Sequence, residues 1–501
     1  MAQNSLKRLF SETMIYGVSS IVGRFLNYLL VPLYTYKIAA STGGYGVVTE
    51  LYAYTALMLV ILTFGMETTF FYFANKNKER AEQVFSTSAL TVGGVSALFV
   101  MLLALFLNPV TTAMGYTEHP EFVMMMGCVV AIDAFQAIFF AWLRFQRRPW
   151  KFAALKLLFI VCNIVLNLFV FLVAPKLSVS HPSLMAWYHP DWQVGYVFAV
   201  NLVCTAGITL GFLPELKYLR HGIDRQMVRQ MLGYTWPLLL LGIAGILNQV
   251  ADKICYRHLV PGPEGEVQLG IYGACVKIAM IMAMITQAFR YAYEPFVFGG
   301  GRSREGKESQ AEVMKYFVIF ALLAFLVVMA YLDIFKYVID SGYWEGLRVV
   351  PIVMMAEILM SIYFNLSFWY KLSGQTWWGA VFSAIGCAVL LAVNIIGVPR
   401  WGYMACAWGG VAGYGVCVVL SYFVGRRRNP VPYNVPTIAG YFVLALGLYG
   451  LSQWLKPEAL GWRLAFNTLL VALYVAVVLW CERALWKGAF NSLCNKLRKR
   501  T

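Results

Sequence analysis

Apolar runs of about 20 residues or more follow one another along the whole chain, separated by short polar stretches rich in glycine, proline and charge. Each run is long enough to cross a bilayer core of ~30 Å as a helix. The pattern predicts about 14 spanning segments, over 9–38, 47–74, 84–107, 121–144, 152–174, 195–214, 231–259, 269–298, 313–338, 347–370, 377–397, 402–424, 436–455 and 462–482. Strands of a membrane barrel would alternate polar and apolar residues over ~10 positions. The runs here stay apolar, so the chain reads as an all-α polytopic membrane protein.

The polar stretches set the orientation. Lys76, Lys78 and Arg80 follow the second segment, Arg144, Arg147 and Arg148 the fourth, and Arg426 to Arg428 the twelfth, whereas 108–120 has no Lys or Arg. An excess of basic residues marks cytoplasmic loops, which places both termini in the cytoplasm. The first run is too long for a signal-peptide core and is expected to be retained. Leu216, Leu219, Ile223 and Met227 share one helical face with Lys217, Arg220, Arg225 and Arg229 elsewhere, so 215–230 is expected to be an amphipathic helix on the inner membrane surface. A second such stripe, Trp486, Phe490, Leu493 and Leu497, lies beside Lys496, Arg498, Lys499 and Arg500 in a basic tail suited to an anionic leaflet.

Composition agrees. The 501 residues are 60% hydrophobic and 13% charged, with a mean hydropathy of +0.66; a soluble chain carries roughly twice that charged fraction. The net charge of +16 sits in inner loops, which follows from orientation without nucleic-acid binding. Ten cysteines are scattered, with no CxxC pair, so neither a disulfide framework nor a zinc site is indicated. Gly301 to Lys307 reads GxxxxGK, but Glu308 stands where a phosphate-binding loop has Ser or Thr and no strand precedes it. It reads as a glycine-rich inner loop over 299–309. No constellation of hydrolytic residues is evident either, and the expectation is a protein that is not an enzyme and holds no cofactor.

The two halves repeat. Leu26-Asn27 matches Leu247-Asn248, and Gly44-Tyr45-Gly46 resembles Gly270-Ile271-Tyr272-Gly273. With Tyr45 set on Tyr272, Glu67 falls on Glu294; in the fourth and tenth segments, Asp133 with AIFF at 137–140 matches Glu357 with SIYF at 361–364. Both copies run the same way, so the repeats are parallel, as in transporters that rock one lobe against the other. The expected organisation is an N-lobe over 1–214, the amphipathic linker over 215–230, a C-lobe over 231–424, a further helix pair over 425–484 and the basic tail over 485–501.

Ionisable residues inside such segments are costly and commonly face an internal cavity. Arg24 lies ~22 Å into the first segment, too deep to snorkel; its planar fork suits phosphate oxygens. Lys253, Lys277 and Arg290 are further cationic candidates, with Asn27 and Asn248 as polar neighbours. Glu67, Asp252, Glu294, Asp133 and Glu357 are candidates for gating or ion coupling, and each has a structural alternative as a packing or salt-bridge residue.

The stretch holding Asp252-Lys253, LGIYG, Lys277 and FRYAYEP, with YGVSSIVGRFLNYLLVPLYT in the first segment, resembles the polysaccharide-biosynthesis branch of the multidrug/oligosaccharidyl-lipid/polysaccharide exporter superfamily. That branch is the Wzx-like oligosaccharide flippase group, and the wording is similar to its Bacteroidota members. The resemblance implies an inner-membrane protein that moves undecaprenyl-diphosphate-linked oligosaccharide from the cytoplasmic to the periplasmic leaflet by alternating access. It implies a place in O-antigen, capsule or lipopolysaccharide synthesis beside a polymerase and glycosyltransferases, and coupling to an H+ or Na+ gradient or to the membrane potential. Arg24, Lys253, Lys277 and Arg290 are the positions that would line its cationic cavity. A peptidoglycan-precursor flippase and an ion-coupled drug antiporter share the fold. The antiporter would want an acid-dominated cavity, and a polymerase or ligase would want larger outer loops than the longest one here, 175–194.

Overall fold

A computed structural model describes residues 22, 26, 28–183, 185–300 and 304–483, with the side chains of 291, 292 and 294–300 excluded. Among these residues every regular element is helical. In chain order the helices are α1 Leu30–Lys37, α2 Gly44–Lys76, α3 Lys78–Leu105, α4 Pro120–Phe145, α5 Pro149–Ser180, α6 Gln193–His221, α7 Arg225–Leu259 and α8 Pro263–Gly300. The rest are α9 Arg304–Ala330, α10 Ser341–Leu372, α11 Trp377–Trp401, α12 Tyr403–Arg428, α13 Val435–Trp454 and α14 Leu460–Cys481. Among the described residues, 13 helices, α2 to α14, are long and apolar enough to cross a membrane. They correspond to the second to fourteenth predicted segments; α1 falls at the end of the first, most of which lies outside the described residues.

Local chemistry explains the ends. Pro120 and Pro149 open α4 and α5, where the missing N–H is not needed. Asp224 caps α7, its carboxylate accepting from the amides of Gln226 and Met227. That cap alters the expected linker. Residues 210–221 continue α6 as a 3-10 helix, Gly222 turns at φ +70°, and 225–230 are the first turns of α7, so 215–230 is divided rather than one surface helix. Gly299, Gly300 and 304–309 are likewise helical, absorbing most of the loop expected over 299–309.

Helices α2 to α6 pack on one another, and so do α7 to α12. The pair α13–α14 is attached to α9 and held at both ends. Arg463 Nε lies 2.8 Å from Asp333 Oδ2 at the outer end, and Lys315 Nζ lies 2.8 Å from Glu482 Oε2 at the inner end.

The two groups meet through α2, which packs against both α7 and α8. At the α2–α8 crossing the backbones touch. A Cβ on Gly46 would be driven into the Glu266 carbonyl oxygen and would lie 3.0 Å from the Gly270 amide; one on Gly273 would collide with Thr49. Against α7 the contact continues inward. Gly65 fits under Leu238, and Tyr72 stacks on Tyr234 at 4.6 Å. Helix α2 is broken at Phe64 and Gly65, both left-handed at φ 36° and 73°. Only glycine adopts that region without strain, so Phe64 marks a constrained bend.

Substituting Gly46 by leucine is expected to hold the outer ends of α2 and α8 apart. The readout is labelling of Cys275, which is fully buried, by an impermeant maleimide added from outside: protected in the parent chain, labelled in Gly46→Leu.

Candidate functional site

The outer ends of the two lobes are closed by a buried polar network. Glu50 of α2 is 1% exposed. Its Oε2 accepts a 2.6 Å hydrogen bond from the Tyr116 hydroxyl and lies 3.5 Å from an Arg257 guanidinium nitrogen. The other terminal nitrogen of Arg257 is 2.5 Å from Glu266 Oε1 and donates to the Gly115 carbonyl at 2.8 Å. The guanidinium also sits 4.2 Å over the Tyr116 ring. N-lobe residues Glu50, Gly115 and Tyr116 are thereby joined to C-lobe residues Arg257 and Glu266. Breaking a buried ion pair by removing one partner costs about 3–5 kcal/mol, so the network is a substantial bond between the two lobes.

Directly inward lie two of the predicted cations. Lys253 is one turn from Arg257 on α7, and Lys277 is one turn from Gly273 on α8. Residues four apart share a helical face, so both lie on the faces that Arg257 and Gly273 turn toward the N-lobe. Lys253 Nζ is 3.0 Å from both oxygens of Asp252, whose Oδ2 also accepts from the Tyr272 hydroxyl at 2.7 Å. Lys277 makes no hydrogen bond or ion pair among the described residues, and Lys253 lies within electrostatic range of it. Glu357 of α10 is also in range of Lys253, with Oε2 buried and without a hydrogen-bond partner. A charge in such surroundings is unfavourable until an opposite charge arrives. Two lysines thus stand among two carboxylates, with Lys253 paired to Asp252 and Lys277 left as the ammonium that an anion could engage.

The remaining candidates are distributed otherwise. Asp133 lies within range of Lys156, whose ammonium sits 4.0 Å over Phe140; this N-lobe cation was not read from the sequence. Glu67 pairs with Arg144 at the inner end of the N-lobe and braces the inner half of α2 against α4. Arg290 lies 13 residues beyond Lys277 on α8, about 20 Å along the axis, and packs 3.6 Å from the Phe364 ring. Asn248 donates to the carbonyls of Ala244 at 2.8 Å and Ser383 at 2.7 Å, tying α7 to α11 rather than presenting its amide to the cleft. Arg24, Asn27 and the side chain of Glu294 lie outside the described residues. The structure thus gathers Asp252, Lys253, Lys277 and Glu357, and leaves Glu67, Arg290 and Asp133 elsewhere.

Glu50, Arg257 and Glu266 were also missed. A signal existed: the offset that sets Tyr45 on Tyr272 sets Glu50 on Lys277, and Arg257 repeats the face of Lys253.

Replacing Lys277 by methionine is expected to raise the thermal unfolding midpoint by a few degrees, because an uncompensated charge leaves an apolar bundle. An unchanged or lower midpoint in differential scanning fluorimetry would mean that Lys277 is already paired.

Residues 9–292 match the family described as Polysaccharide biosynthesis protein. The chain is 21% identical over 345 residues to protein 1 of the Lsg locus of Haemophilus influenzae, covering 64% of this chain and 72% of that protein. Its fold is similar to the lipid II flippase MurJ in an inward closed conformation, with a TM-score of 0.67 at 10% identity over 94% of this chain and 99% of that one. It is also similar to a multidrug resistance MATE family transporter of the MOP superfamily. The inward-facing form gives 0.62 at 15% identity over 80% and 94% of the two chains, and the outward-facing form 0.56 at 12% over 83% and 95%.

Proposed function

Because the chain belongs to the polysaccharide biosynthesis protein family, we propose that it moves a polyprenyl-diphosphate-linked oligosaccharide from the cytoplasmic to the outer leaflet by alternating access. The observation that carries this reading is the position of Lys277 and Lys253, just inside a closed outer seal. A diphosphate entering from the cytoplasmic side would meet two ammonium groups at the innermost point it can reach. Its negative charge would relieve the repulsion between them and engage the cation that has no partner among the described residues.

Binding then acts on the gate through geometry. Lys253 and Arg257 are neighbours on α7, and Lys277 shares α8 with Glu266. An anion drawing the two lysines together therefore pulls on the two helices whose outer ends carry the seal. The seal parts, and the glycan leaves outward while the lipid tail stays in the bilayer. An inside-negative potential favours that direction by roughly 2.3 kcal/mol per net negative charge per 100 mV. In this reading the protein makes and breaks no covalent bond. It resides in the bacterial inner membrane and hands its cargo to a periplasmic polymerase, after cytoplasmic glycosyltransferases have built the glycan. A peptidoglycan precursor has the same diphosphate, and the fold likeness to a lipid II flippase makes it the second substrate to try.

The test is appearance of lipid-linked oligosaccharide in the outer leaflet of proteoliposomes. Lys277→Ala is expected to lower the rate at least about tenfold, with Lys277→Arg retaining most of it. No flipping of any diphosphate-linked glycan by the parent chain would overturn the function. Equal rates for parent and Lys277→Ala would overturn the site.

A further inference from the structure

The outer seal holds more negative than positive charge. Arg257 is the cation of the network, and it sits closer to Glu266, its partner within the C-lobe, than to Glu50. Glu50 is therefore the surplus carboxylate, contributed by the opposite lobe. Its Oε2 has Tyr116 and Arg257, but its Oε1 is buried with no hydrogen-bond partner. An ionised carboxylate in a dry place with one oxygen unsatisfied, facing a second carboxylate across a shared guanidinium, is the group on which a proton relieves most strain.

We propose that Glu50 is a proton-binding site of the outer gate, taking a proton from the outer water when the lobes are parted and carrying it into the closed seal. This deepens the alternating-access reading and rests on it, by naming what sets the outer gate. With the proton bound, Arg257 and Glu266 form a neutral pair and Glu50 enters uncharged. Without it, closing buries a net negative charge. The groups that face Glu50 are Tyr54 on its own helix, Tyr116 from the segment before α4, Arg257 and His258 from α7, and Glu266 from α8, with Glu118 behind Glu266. Because exposed His258, hydrogen-bonded to the Ile254 carbonyl, also faces Glu50, the response must be assigned by substitution at Glu50 itself.

Linkage sets the sign. A proton bound more tightly by the closed form shifts the population toward closure as pH falls, by up to about tenfold in the closed-to-open ratio per pH unit.

The experiment measures the distance between spin labels at Val179→Cys in α5 and Trp401→Cys in α11. Both positions are exposed at outer helix ends, in a chain whose native cysteines are replaced, in nanodiscs without any lipid-linked glycan. The closed population is expected to rise as pH is lowered from 8 to 5. Glu50→Gln, which mimics the protonated acid, is expected to stay closed across the range. A parent chain with no pH response overturns the proposal whether or not the variant folds. So does a Glu50→Gln chain that keeps the parent's response. A closed population that follows Na+ at fixed pH overturns it in favour of a metal cation. Because no substrate is present, these outcomes are separate from a failure of the flipping assay.

Discussion

Backbone contact between α2 and α8 is the constraint on which the rest of the arrangement depends. Gly46 lies against the Glu266 carbonyl and the Gly270 amide, and Gly273 leaves room for the Thr49 side chain, so the outer ends of the two helices lie close together. That proximity brings Glu50 within reach of Arg257, which also pairs with Glu266, buries Glu50, half-buries the other two, and aligns Lys277 just inside them. With bulkier residues at the crossing, the same charges would sit in water, where an ion pair is worth at most about 1 kcal/mol. Steric bareness at Gly46, Gly270 and Gly273 is thus what gives the charges their leverage.

The match between the two halves of the sequence makes the charge pattern informative. The two copies place opposite charges at matched positions, Glu50 in one and Lys277 in the other. Similar packing thus carries different chemistry: the acid joins the buried network between the lobes, and the base lies one turn inward of the α2–α8 crossing, where the proposed function needs a cation. The paired acids Asp133 and Glu357 follow the same logic, since each lies near a lysine, Lys156 within the N-lobe and Lys253 within the C-lobe.

Much of this was legible beforehand. The helical polytopic fold follows from the length of the apolar runs, because a bilayer imposes that length. Lys253, Lys277, Asp252 and Glu357 were recognisable because a charge deep in an apolar run is costly. Glu50 and Arg257 escaped notice for the converse reason. They lie near helix ends, where a charge alone raises no alarm, and their burial arises from a neighbouring lobe that one helix's sequence does not reveal. Asn248 misled in the other direction: its match to Asn27 suggested a cavity amide, whereas the α11 backbone claims it. The division of 215–230 was written in Asp224, whose side chain caps a new helix, but the apolar stripe ran through it and concealed the break.

The attachment of α13–α14 has a mechanical consequence. Pinned to α9 at Asp333 and at Glu482, the pair cannot slide against the C-lobe. It enlarges the footprint of that lobe in the bilayer, while the N-lobe gains no equivalent. Lipid resists the tilting of a wide body more than that of a narrow one. On the alternating-access reading proposed above, the C-lobe is then expected to act as the stator and the N-lobe to carry most of the rocking, turning about the outer crossing of α2.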